Sequence, residues 1–298
     1  MMDFTNTLAE REKQIEKDYP PEGVFVEING WRHHVVTRGR GPDVVLIHGA
    51  GGSTRDMSFR LMPALESDFR VTAIDRPGHG WTTAKDPMSV VTPMQQASLL
   101  WSLLDELEIR KPVILGQSYG GSVAIAMSAT CPGRARGYSL ISAAATDDIE
   151  MSRIWNQPVV LRAHDMLAAP YMSLIHDRII NHALEGLFAP DPIPQGYIKH
   201  FGPRMSLRKD YYLHKTRQII CLKSSLTEMM QWYATLPDRF DVVHGQEDRL
   251  LPIGSHAIPF SWLTPNASLH AIPGAGHMPH QTHCEEVANS VRRMAALP

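Results

Sequence analysis

With 298 residues, 43% hydrophobic and 20% charged, the chain has the make-up of an ordinary soluble globular protein, long enough for one large core or two modest ones. A formal charge of -2 leaves no electrostatic footprint for nucleic acid or an anionic membrane surface. No apolar run reaches the roughly 18 residues of a membrane span, and Cys131, Cys221 and Cys284 lack the spacing of a disulfide framework or zinc ribbon.

The N-terminal segment is charged, without the apolar core of a signal peptide, so the expected location is cytoplasmic. Residues 1–22 read as a polar extension, helical over 7–18 and ended by Pro20 and Pro21. Two strand-like runs then flank Asn29 and Gly30, a hairpin signal. The stretch "DVVLIHGAGG" (43–52) is an unbroken apolar strand running into a glycine-rich turn, as expected for a parallel strand buried on both faces.

Beyond it the chain alternates. A helix over 55–66 precedes a strand at 70–75. A second helix, capped by Thr92 with Pro93 in its first turn, runs to Leu107 and precedes a strand at 112–117. A third, after Ser118, leads to a strand at 137–145. This repetition predicts an α/β fold with a doubly wound, mostly parallel sheet. Residues 146–236 hold no strand run and read as a helical insertion between core segments 23–145 and 237–298. Strands return at 240–245 and 268–273, and an amphipathic helix from about Glu285 closes the chain.

The chemistry-bearing motifs fall at strand ends. In Gly116-Gln117-Ser118-Tyr119-Gly120 a serine occupies a sharp turn between an apolar strand and a small-residue helix. A hydroxyl becomes a nucleophile when a base takes its proton and an anion site receives the developing charge. "HGAGG" (48–52) places the amides of Ala50 or Gly51 to pair with that of Tyr119 as an oxyanion hole. Asp248 lies just past the strand "FDVVHG" and suits the orienting acid, with Glu247 adjacent and Asp147 and Asp148 competing from another strand end. His277, in "IPGAGHMPH", suits the base. His277, His280 and His283, with Cys284 beside them, imitate a metal-ligand spacing. Steps of three drift around a helix and no carboxylate joins them, so no metal is expected, nor any cofactor.

The chain order Ser118, Asp248, His277 is that of an α/β-hydrolase triad. With "DRPGHG" (75–80), "GQSYGG" (116–121), "HGQEDRLLP" (244–252) and "GAGHMPH" (274–280), the sequence resembles the α/β-hydrolase fold superfamily and its capped, esterase-like branch. The resemblance implies an eight-stranded sheet with a helical cap inserted after the sixth strand, and a structural role for His79. It implies a serine hydrolase of small, mainly apolar carboxylic esters.

Ser118 speaks against the aspartate-nucleophile relatives, epoxide hydrolases and haloalkane dehalogenases. Carbon–carbon hydrolases of ring-cleavage products and haloperoxidase-like perhydrolases remain alternatives, although Met278 stands where the former often carry an aromatic residue. A non-catalytic ligand receptor on the same fold is the alternative of another class. Met166, Leu167, Met172, Leu174, Trp232 and Met278 are the expected apolar pocket, with Arg153 and Arg162 available to one carboxylate. The expected partner is a small-molecule ester, and a homodimer is an assembly the sequence allows.

Overall fold

The computed structural model describes residues 4–84, 86–149, 167 and 177–297. Nine strands form one sheet in the order β1-β2-β4-β3-β6-β7-β8-β9, with the two-residue β5 (Thr83–Ala84) on β2. β1 (Val24–Ile28) and β2 (Trp31–Arg38) form the predicted hairpin, with Asn29 and Gly30 both at positive φ. β2 runs antiparallel to β4 (Arg70–Ile74). From β4 onward, β3 (Asp43–Ile47), β6 (Val113–Gln117), β7 (Gly137–Ile141), β8 (Phe240–Gly245) and β9 (Ala267–Ile272) are all parallel. The predicted eight strands are thus present, with β5 as a small addition pairing with Trp31 and Arg32 of β2.

Unbroken apolar strands fit because both faces are covered. Val45 and Ile47 of β3 pack with Leu100, Leu104, Val123 and Ile125 in one core. Val44 and Leu46, pointing the other way, pack with Met57, Leu61, Leu65, Val287 and Val291 in the second. After the N-terminal helix α1 (Phe4–Asp18), the first group of helical residues comes from α4 (Pro93–Glu106) and α5 (Tyr119–Thr130). The second comes from α2 (Thr54–Phe59), α3 (Leu61–Leu65) and the C-terminal helix Cys284–Ala295. Thr92 closes a capping box with Gln95 at the start of α4, as its sequence implies.

Three local readings change. The helix expected over 55–66 breaks at Arg60 into α2 and α3, because Arg60 leaves helical backbone (φ -123°). The strand expected to reach residue 145 stops at Ile141. There Ser142 takes φ 42° and its amide bonds to Val243 O, while Ala143, Ala144 and Ala145 stay buried in the core. A helix over Ala257–Leu263 has no counterpart in the sequence reading. Among the described residues of 146–236 there is no strand. They hold the helices Asp177–Phe188, Tyr197–Phe201 and Lys209–Met229 and two short 3-10 turns. No helix among the described residues is long and apolar enough to cross a membrane.

The crossing of β3 and α5 is tight. A Cβ at Gly120 would stand 2.3 Å from Ile47 O and 2.6 Å from His48 O, both backbone atoms at the end of a central strand. Gly120→Ala is therefore expected to lower unfolding free energy by about 3 kcal/mol, since backbone must move to make room. A denaturation midpoint unchanged by the substitution would show that the crossing relaxes freely.

Candidate active site

Ser118 follows β6 directly and caps α5 in a conformation forbidding to most side chains, φ 53° and ψ -118°. Its amide bonds to Ile141 O at 2.9 Å, and its carbonyl accepts the amides of Gly121 and Ala144. Held this way, at a cost of about 1–3 kcal/mol in backbone strain, the hydroxyl faces a cavity at the carboxyl ends of the strands.

His277 is brought there by the loop after β9. Its Nε2 lies 3.1 Å from Ser118 Oγ, and its Nδ1 lies 2.7 Å from Asp248 Oδ2. The carboxylate accepts Nδ1–H, so Nε2 carries the lone pair and the serine hydroxyl donates to it. Asp248 is itself fixed by the loop after β8: its Oδ1 accepts the amides of Leu250 and Leu251, each at 2.9 Å. Burial alone would raise its pKa. Hydrogen bonds from His244 and His277 outweigh that and hold the carboxyl well below the usual range.

His244 is a participant the sequence reading missed. At the end of β8 its Nε2 lies 2.7 Å from Leu251 O and 3.3 Å from Asp248 Oδ2, clamping the acid loop. Its only sequence signal is a histidine in an otherwise apolar strand end.

The competing acids fall elsewhere. Glu247 is exposed, and Asp147 accepts from Thr227 Oγ1. The histidine triplet separates: His280 contacts Asp56 at 3.2 Å, and His283 lies 3.8 Å from Asp191. His79 is fully buried, with Nδ1 3.1 Å from Pro77 O.

The cavity, about 220 Å³, is walled by Gly49, Ala50, Gly51, Ser118, His277 and Met278, with Leu184, Leu187 and Phe201 from the insertion. The Gly49–Gly51 turn is tied down from behind. The fully buried Arg76 donates from Nε to His48 O and from a terminal nitrogen to Gly49 O, and its amide donates to His48 Nε2. Its guanidinium lies 4.5 Å from the centre of the Tyr119 ring, so one side chain braces both the turn and the residue after Ser118. Burial brings Arg76 down to about 10 and His48 to about 4, which keeps His48 neutral and able to accept.

Of the expected pocket residues, Met278 is in the cavity wall and Trp232 is not. Trp232 packs against the core and lines a separate cavity with Met94, Ala129 and Pro132, because the chain has already returned to the α4–α5 side there. Leu167 is exposed. Met166, Met172, Leu174, Arg153 and Arg162 lie outside the described residues.

Residues 44–290 match the model of the alpha/beta hydrolase family. The chain is 28% identical to 2-hydroxymuconate semialdehyde hydrolase of Pseudomonas putida, over 93% of this chain and 95% of that one. It is 26% identical to the pimeloyl-[acyl-carrier protein] methyl ester esterase of Xanthomonas axonopodis pv. citri (strain 306), over 88% and 98%. Its fold is similar to that of the enol-lactonase from Burkholderia xenovorans LB400, with a TM-score of 0.74, 18% identity, and 91% and 99% of the two chains covered.

Proposed function

The chain belongs to the alpha/beta hydrolase family, and from that premise we propose that it cleaves carboxylic esters of small, mainly apolar substrates through an acyl-enzyme on Ser118. One observation carries this reading: His277 bridges Ser118 Oγ, 3.1 Å from its Nε2, and Asp248 Oδ2, 2.7 Å from its Nδ1. His277 takes the hydroxyl proton as Oγ attacks the ester carbonyl. The oxyanion sits on the amides of Tyr119 and of Ala50 or Gly51. His277 then protonates the leaving alcohol. Water, deprotonated by the same imidazole, attacks the acyl-enzyme and releases the acid, returning the proton to Ser118. The helical insertion serves as the cap in this reading, supported by Leu184, Leu187 and Phe201 sharing the cavity wall with Ser118.

A fluorophosphonate probe tests this directly. The wild-type protein should take up one equivalent, on the Ser118 peptide. A folded protein left unlabelled would favour the receptor reading.

Hydrolysis of a carbon–carbon bond is the second reading, favoured by the likeness to 2-hydroxymuconate semialdehyde hydrolase along nearly the full chain. It uses the same residues. A kcat/KM for a ring-cleavage dienoate above that for every ester tried would select it.

A further inference from the structure

The cavity beside Ser118 is apolar over most of its wall, and among its described lining residues the formally charged ones are Asp56 and Lys215. Asp56 is already satisfied. It accepts from Tyr197 Oη at 2.7 Å and from Gln281 Nε2 at 2.9 Å, and it contacts His280 at 3.2 Å.

Lys215 is different. It stands on the helix Lys209–Met229, one turn after the buried Tyr211, whose hydroxyl donates to Gly52 O and so docks this helix on the glycine turn. The lysine stem approaches Gly51, its Cδ 3.7 Å from where a Cβ there would stand. Among the described residues no carboxylate pairs with the ammonium, and its described partner is the Tyr212 ring at 5.6 Å, near the outer limit of a cation–π contact. Burial lowers its pKa. A partly dehydrated ammonium on an apolar cavity wall regains its lost solvation when an anion arrives.

We propose that Lys215 is the anion-binding residue of this site, and that the substrate is a small ester with a free carboxylate, such as a monoester of a dicarboxylic acid. This rests on the ester reading above and narrows it. A single lysine balances one carboxylate, and its place beside Gly51 puts that group on the glycine-turn side of the reacting carbonyl.

Monomethyl adipate and methyl hexanoate test the point, differing only by carboxylate against methyl at the far end of one chain. Wild-type kcat/KM should favour the anionic ester at least tenfold. Lys215→Gln should cut that ratio tenfold or more, mainly through KM for monomethyl adipate. Lys215→Arg should keep most of it, and Lys215→Glu should reverse it. Hydrolysis of both esters by the wild type without preference overturns the proposal and leaves the ester reading standing. A ratio unmoved in Lys215→Gln overturns it too. If neither ester is cleaved, the ester reading fails for this substrate class, and calorimetry with adipate decides the rest. Binding to wild type that is lost in Lys215→Gln supports the lysine's role, and no binding, or equal binding, overturns it. The wild-type selectivity needs no variant, so a poorly folded substitution does not shield the proposal.

Discussion

Ser118→Ala is expected to lower kcat for a short p-nitrophenyl ester on the order of 10⁶-fold, the loss that follows removal of a serine nucleophile from an intact triad. The substrate has no other oxygen to acylate at this position, and His277 is left with a lone pair facing a methyl group. KM should change little, because the cavity wall is otherwise intact. Retained burst and turnover would remove Ser118 from the mechanism. Stability offers an independent check. Alanine keeps the strained φ of 53°, whereas glycine adopts it freely, so Ser118→Gly should be equally inactive yet more stable than Ser118→Ala by about 1 kcal/mol. Equal melting of the two would mean that the turn stores no strain.

Asp248→Asn should lower kcat by about 10⁴, the cost of losing the acid that fixes the histidine tautomer. The amide offers N–H where the imidazole Nδ1–H needs an acceptor, so His277 either turns over or places its proton toward Ser118. Acid stability supplies a readout that activity does not. The folded pKa of Asp248 lies below its unfolded value near 3.9. Its contribution is therefore fully present above that pH and is lost as the pH falls toward the folded pKa. The wild type should lose stability over this range more steeply than the asparagine variant. If Asp147→Asn reproduced the kinetic loss and Asp248→Asn did not, the acid would belong to the end of β7.

Much of this molecule is legible in its sequence because the signals are local. The parallel sheet follows from strands such as "VVLI" that are apolar at every position, which only two covered faces explain. The Thr92 cap, the Asn29–Gly30 hairpin and the glycines around Ser118 each answer to backbone geometry within a few residues. Ser118, Asp248 and His277 could be nominated for the same reason, as each sits just past a strand. Its place just past a strand end favours Asp248 over Glu247 and Asp147 in the sequence, but that its side chain turns toward His277 is a direction residue spacing does not carry.

The insertion marks the other limit. Trp232 falls outside the pocket that its sequence position suggests, because an aromatic residue in a helical stretch has no address until the helix packs, and here it packs on the core. His244, Arg76 and Lys215 were not read as site residues at all. Their roles come from partners between 4 and 164 residues away in sequence, Asp248 and Leu251 for the first and Gly51 for the last. By itself, then, the sequence determined the sheet, the turn that holds Ser118 and the residue types able to activate it, since all three are written in local pattern and backbone preference. Which acid faces the histidine, what braces the glycine turn and which charge waits in the cavity were decided only by the tertiary structure, because burial and approach are properties of packed elements.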